Sequence, residues 1–222
     1  MKLLKIPKTQ NQEQVWDKIA NEWKDFRINP ISEVKEFLKN KKGKVLDLGC
    51  GSGRNFIEDK NLEFYGIDFS KEMVRIARQK PYKKVLKSNA WQIKFPDNFF
   101  DYALYISVLH CIHSKKNREK SLIELKRVLK PGAKIFISVW DKEQPKFKDS
   151  GEEVYLKWRF GQNSEKEYVE RYYKLYTKNK IINLLKKYFK IIKIIKKNIT
   201  KKDKSSSRFN RRNLNIIAKA EK

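Results

Sequence analysis

The chain has 222 residues, of which 40% are hydrophobic, 13% aromatic and 36% charged, and its formal net charge is +27. The apolar and aromatic share suffices for one packed domain and excludes wholesale disorder. Two cysteines, Cys50 and Cys111, exclude a disulfide or metal framework, so a reduced, cytoplasmic setting is expected. The polar N-terminus does not read as a secretory signal, and no apolar run approaches the roughly 20 residues that span a bilayer. Between Lys178 and Lys222 there are 16 Lys/Arg against two acids, Asp203 and Glu221. Such an excess favours a polyanion, because neutralised phosphates release counterions.

Apolar Val15, Trp16, Ile19, Ala20 and Trp23 share one face of a helix predicted over Gln12–Asp25, and a second helix is expected from the cap Ser32 to Leu38. A first strand over Lys44–Leu48 runs into Gly49-Cys50-Gly51-Ser52-Gly53 and then a short helix near Asn55. Further strands are predicted over Phe64–Ile67, Val85–Lys87, Tyr102–Ser107 and Ala133–Trp140. Helices are predicted from Ser70 to about Gln79 and over Lys116–Leu129, the latter stopped by Pro131-Gly132. Residues 141–170 are charged and aperiodic, and are expected as a mobile insertion over the site. Thr177–Tyr188 returns to helical spacing. Strands over Phe189–Ile199 and Leu214–Ala220, joined by a basic loop, then close the chain. Alternating β and α units imply one domain over residues 1–222 with an α/β, mostly parallel Rossmann-like sheet of seven strands and an antiparallel edge strand.

The glycines after the first strand allow positive φ and a close approach of the main chain to a ligand at the carboxyl edge of the sheet. Their spacing is not that of the dinucleotide fingerprint or of a phosphate loop. Asp47, two residues before Gly49, suits a cation better than a pyrophosphate. The run Lys44–Arg54 resembles the cofactor loop of class I S-adenosylmethionine (SAM) methyltransferases, whose ligand carries a sulfonium and an ammonium. The resemblance implies a cofactor site formed by Asp47, Gly49, Cys50, Gly51, Gly53, Asp68, Phe69, Met73, Asn89, Ala90 and Ile106. Asp68 ends the second strand, about twenty residues after the first glycine, where a carboxylate accepts hydrogen bonds from ribose hydroxyls. Met73 also reads as a core residue of its helix. Asn89 stands where such enzymes usually carry Asp, and its amide oxygen can accept the same adenine hydrogen bond.

An Asn/Asp-Pro-Pro-Tyr/Phe motif for base amino groups is absent after the fourth strand, and neither cysteine has the Pro-Cys context of cytosine carbon methylation. The chain's only histidines, His110 and His113, follow that strand. His110 is expected to point toward the site and His113 to cap or orient the next helix. Trp16-Asp17-Lys18-Ile19-Ala20, Phe26-Arg27, Val108-Leu109-His110, Val139-Trp140-Asp141-Lys142-Glu143-Gln144, Arg171-Tyr172-Tyr173 and Arg208-Phe209-Asn210-Arg211-Arg212-Asn213 look like the tRNA wobble-uridine carboxymethyl methyltransferase family. Two departures are Cys111, where the family often has a second His, and Arg212-Asn213-Leu214, where it tends toward Asp-Asn-aromatic. The resemblance implies esterification of 5-carboxymethyluridine at the anticodon wobble position. The acceptor, a carboxylate, is already ionised at pH 7, so the reaction requires no general base. Arg27, a planar fork suited to a carboxylate, and His110, a neutral donor or orienting group, are the implied catalytic residues. Tyr105, Trp140, Arg171, Arg208, Arg211, Arg212 and Asn213 are expected to contact substrate or RNA, and Trp158, Phe160 or Tyr172 to stack on an extruded base. The family also implies a small zinc-binding activator protein that extends the sheet at Val85–Lys87. The alternatives are a SAM methyltransferase of a small-molecule acid and a non-catalytic RNA-binding module of the same fold. Transfer of label from SAM to tRNA, to a metabolite or to neither separates the three.

Overall fold

The computed structural model of the protein describes residues 10–26, 28–160, 167–196 and 213–221. Its centre is a seven-stranded sheet in the order β3-β2-β1-β4-β5-β9-β8. The strands are β1 (Gly43–Leu48), β2 (Leu62–Asp68), β3 (Lys84–Lys87), β4 (Phe100–Ile106), β5 (Leu129–Trp140), β8 (Phe189–Lys196) and β9 (Asn213–Ala220). The first five in this order pair in parallel, and β9 runs antiparallel to both β5 and β8. This is the expected mostly parallel architecture, with the reversed strand one place in from the edge.

Each face of the sheet is covered because its strands are apolar on both sides. On one face Val45, Phe64, Leu104 and Phe136 pack against Val34, Phe37 and Leu38 of α2 (Ser32–Leu38). On the other, Leu46, Tyr105, Ile135, Ile137 and Ile216 pack against Leu122 and Leu125 of α4 (Lys115–Val128) and Ile181 and Leu185 of α5 (Lys178–Leu185). Two further helices meet each other. Asp17 of α1 (Gln12–Asp25) accepts hydrogen bonds from Ser70 Oγ at 2.5 Å and from the Glu72 amide at 3.1 Å, at the N-terminus of α3 (Lys71–Ala77).

Three expectations need correction. Residues 49–55 form successive turns with no helix, because Gly49, Gly51 and Gly53 all take positive φ (73°, 54° and 78°). Pro131-Gly132 does not end a helix: α4 stops at Val128, β5 starts at Leu129, and the pair sits in an irregular stretch of strand with Gly132 at φ 80°. Residues 141–170 are not an aperiodic insertion. They contain a short 3-10 turn at Pro145–Phe147 and β6 (Glu153–Arg159), which pairs antiparallel with β7 (Tyr168–Lys174) in a separate two-stranded sheet. Interleaved Lys, Arg and Glu hid the strand pattern of Val154, Leu156, Trp158, Val169, Tyr172 and Tyr173.

Candidate active site

The carboxyl ends of β1, β2, β4 and β5 open into a cleft of about 510 Å³, a volume suited to a nucleoside-sized ligand. Its first wall is the glycine loop. A Cβ on Gly49 would come within 2.2 Å of Val108 Cγ2, so only glycine lets the loop lie against the end of β4. At Gly51 a Cβ would meet nothing within 4 Å, which leaves the main chain bare toward the cleft. Asp68 closes this wall. Its Oδ2 accepts from the Gly51 amide and its Oδ1 from the Ser70 amide, both at 2.9 Å. Burial pushes the Asp68 carboxyl up to about 6, although those two amides pull it down. Its remaining lone pairs can accept from a ligand's hydroxyls.

Gly49, Cys50, Gly51, Asp68, Phe69, Met73, Asn89, Ala90 and Ile106 all line the cleft. Met73 is 2% exposed and serves the core as well, packing with Ala20 and Ile76. Asp47 and Gly53 are set back from it. Asp47 lies beneath the loop, 1% exposed, and its Oδ2 accepts from the Tyr82 hydroxyl at 2.8 Å. Burial lifts its carboxyl to about 7 against the pull of that hydrogen bond. A Cβ on Gly53 would crowd Lys80 and Tyr82. Asp47 therefore supports the loop from below.

The second wall is aromatic. Trp140 ends β5 with its ring stacked on Tyr173 at 4.0 Å and 22°, and His110 packs against both rings. His110 Nδ1 accepts from the Trp140 amide at 3.1 Å. That nitrogen is therefore unprotonated, and the ring proton of this neutral imidazole sits on Nε2. Trp16 and Trp23 of α1 also line the cleft and meet edge to face at 5.1 Å. Sequence periodicity placed these two on the core face of a helix but gave no sign that this face overhangs the site. Ser114, not His113, caps α4, accepting from the Asn117 amide, while His113 lines the cleft beside Tyr172.

Several expected contacts lie elsewhere. Tyr105 is fully buried and donates to Ser121 Oγ at 2.8 Å, because its side chain leaves β4 on the α4 face. Arg171 is 3% exposed, away from the cleft, with its guanidinium 5.0–5.5 Å from the rings of Trp158, Trp23 and Tyr173. Tyr172 is completely buried, and its hydroxyl accepts from Arg118, so its ring is not available to stack on a base. Trp158 is 9% exposed and packs with Val15, Ile19 and Val169. Trp140 and Asn213 do line the cleft. Arg27, Arg208, Arg211 and Arg212 lie outside the described residues. No group of three or more potential metal ligands occurs among the described residues. No described helix is long and apolar enough to cross a membrane.

A family described as "Methyltransferase domain" matches residues 46–137, the span from the glycine loop to β5. The chain carries a SAM-dependent methyltransferase domain. The Schizosaccharomyces pombe tRNA (carboxymethyluridine(34)-5-O)-methyltransferase is 33% identical over 152 residues, covering 65% of this chain and 66% of that protein. The kinship with wobble-uridine methyltransferases expected from the sequence is thus found. This methyltransferase spans 66% of the S. pombe protein, 33% of an Arabidopsis thaliana counterpart and 20% of a Mus musculus one. Among solved structures, a Methanosarcina mazei SAM-dependent methyltransferase superposes with a TM-score of 0.68 at 21% identity, over 86% of this chain and 99% of that one. A chain from the complex between the Haloferax volcanii methyltransferase activator and a methyltransferase also gives 0.68, at 14% identity, over 96% of this chain and 100% of that one. SAM is the cofactor, and the residues of the first wall fit it: a bare glycine cradle, a carboxylate for ribose hydroxyls and apolar flanks from Met73, Ala90 and Ile106.

Proposed function

We propose that this methyltransferase acts on tRNA and esterifies the carboxymethyl group of 5-carboxymethyluridine at the anticodon wobble position. The similarity to the S. pombe enzyme carries this reading. The cleft supports it chemically. When bound, the cofactor supplies an electrophilic methyl group on a sulfonium. An acceptor carboxylate is ionised at neutral pH and asks the protein only for placement and exclusion of water. His110 suits that division of labour, because its acceptor nitrogen is occupied by the Trp140 amide and the other carries a proton, so it orients and does not abstract. Trp16, Trp23, Trp140 and Tyr173 supply the apolar enclosure. Arg27 is the proposed clamp on the carboxylate, and the basic stretch 178–222, with Arg208, Arg211 and Arg212, the proposed grip on anticodon-stem phosphates.

A zinc-binding activator is the proposed partner. Its docking strand would be β3, the edge of the large sheet, whose four residues pair, among the described residues, with β2 alone. Co-expression with the activator is expected to raise solubility and SAM affinity; equal values with and without it would remove the partner from the proposal.

The deciding experiment is nucleoside mass spectrometry of tRNA from a deletion strain, paired with transfer of tritium from labelled SAM to bulk tRNA. Loss of the methyl ester in the strain and its restoration by the protein are expected. Label appearing in a metabolite pool and not in tRNA would overturn the assignment. Arg27→Ala is expected to lower turnover by a hundredfold or more on the order of a lost preorganised charge contact, with SAM affinity nearly unchanged. Turnover at the wild-type level would remove Arg27 from its role.

A further inference from the structure

One row of buried polar atoms in the cleft is left unused by the cofactor wall. Ile106 of β4, Ser138 of β5 and Asn215 of β9 are register partners across the sheet, and Trp140 pairs with Asn213 two residues further on. The preceding row, Leu104, Phe136 and Ile217, packs beneath α2. By strand alternation, Ser138, Trp140, Asn213 and Asn215 therefore project from that same face, beyond the end of the apolar core. Asn213, Asn215, Ile106 and Trp140 line the cleft, and Ser138 lies between Ile106 and Asn215. Ser138 is fully buried and Asn215 is 3% exposed. Ser138 Oγ and the side-chain oxygens of Asn213 and Asn215 have no hydrogen-bond partner among the described residues. Asn55 Oδ1, from the glycine loop on the same cleft, is in the same condition.

A buried acceptor without a donor costs about 1–3 kcal/mol, and three close together on two adjoining interior strands are not what core packing selects. Position along the strand repeats the point: Asn213 and Asn215 are polar residues at alternate sites in the otherwise largely apolar β9. What the atoms lack fixes the chemistry of what they bind. Amide oxygens need N–H or O–H donors. A carboxylate has none at neutral pH and would leave these oxygens unsatisfied. A planar imide, with one N–H between two carbonyls, matches an Asn side chain that offers an acceptor beside a donor. Trp140, stacked between Tyr173 and Phe147, bounds the row on its apolar side.

We infer that Ser138, Asn213 and Asn215 form a base-reading subsite, which holds the imide edge of an extruded pyrimidine and leaves its 5-substituent to the other side of the cleft. The inference rests on the proposed function for the identity of the base and adds the residues that select it. It assigns Asn215 and Ser138, which the sequence did not single out, the role of specificity determinants, and gives Asn213 the same task.

The test uses the full chain loaded with S-adenosylhomocysteine and free 5-carboxymethyluridine as probe, with its N3-methyl derivative as the arm that lacks the imide proton. Binding is read by quenching of tryptophan fluorescence. The parent nucleoside is expected to bind about tenfold more tightly than the N3-methyl derivative, on the scale of one lost buried hydrogen bond. Asn215→Ala is expected to abolish that preference without altering affinity for S-adenosylhomocysteine. Ser138→Ala removes only a hydroxyl and keeps the question open if Asn215→Ala does not fold; it is expected to melt no lower than wild type and to narrow the preference. Equal binding of the two nucleosides by wild type overturns the inference, as does full preference retained in the variants. Since no methyl transfer and no tRNA enter the measurement, imide preference without tRNA methylation would cost the proposed function alone. Methylation of tRNA without imide preference would cost the subsite alone.

Discussion

At Asp47 a carboxyl has been placed where water cannot reach it, and that fixes a pH dependence. Its folded pKa, about 7, lies above the usual 3.8, and Asp68 is raised to about 6 for the same reason. A group raised in the folded state contributes full stability below its unfolded value and loses that contribution as pH climbs through the folded one. The cofactor-free protein is therefore expected to lose stability between about pH 4 and pH 7. Asp47→Asn, which keeps a polar partner for the Tyr82 hydroxyl, is expected to flatten the upper part of that decline. Melting temperature against pH for the two proteins checks this, and an unchanged slope in the variant would count against it.

Arg171 poses the opposite problem. Its Nε and Nη1 make no hydrogen bond among the described residues, and its attachment to the fold is the stack on Trp23, Trp158 and Tyr173. Removing a buried charge while keeping its bulk is often neutral or stabilising, whereas removing the bulk opens a cavity. Urea denaturation is thus expected to place Arg171→Met within about 1 kcal/mol of wild type or above it, and Arg171→Ala about 2–4 kcal/mol below. Similar losses in both would mean that the charge, not the contact area, is what the site requires.

Among the elements, α3 shows how local sequence and tertiary structure share one residue. Ser70 caps the helix by accepting from the Met73 amide at 3.1 Å, and its own hydroxyl donates to Asp17 of α1. The cap was legible from Ser70 and the acid at Glu72; the second bond was not, since nothing in the pattern of α1 distinguishes Asp17 from a solvated charge. Ser70→Ala is expected to cost about 1–2 kcal/mol, toward the upper end of helix-cap losses because the side chain is fully buried. A loss below a few tenths would show that α1 is held to α3 by its apolar contacts alone.

The same contrast runs through the other elements. The strands and helices on either side of the glycine loop were readable because apolar runs, glycines and caps each specify backbone geometry locally. The β6–β7 hairpin was not, since its order comes from partners distant in sequence. Tyr172 N–H donates to Gln12 Oε1, and Trp158 Nε1 donates to Glu22, both on α1. Of the site, the cofactor wall was legible because backbone-bound ligands demand glycine at fixed places. Tyr105 was misplaced because alternation in a strand buried on both faces gives no sign of which face is which. Asn215 carried a usable signal, a second amide two residues after Asn213 in an apolar strand.

For the molecule as a whole, a charge of +27 predicts two binding equilibria with different responses to salt. Affinity for tRNA is expected to fall steeply and log-linearly as salt rises, while affinity for S-adenosylhomocysteine, set by buried contacts, stays nearly level. Filter binding and calorimetry over the same salt series compare the slopes; parallel slopes would contradict phosphate contacts as the source of RNA affinity.

The close seating of Gly49 on Val108 joins these scales. With so little room between them, the loop proposed to cradle the methyl donor and the turn that delivers His110 share a single surface. Any enlargement at either position displaces both halves of the reaction chamber together. Directed changes meant to broaden the acceptor will thus register first as weakened donor affinity, and a bulkier donor analogue will be felt on the acceptor side.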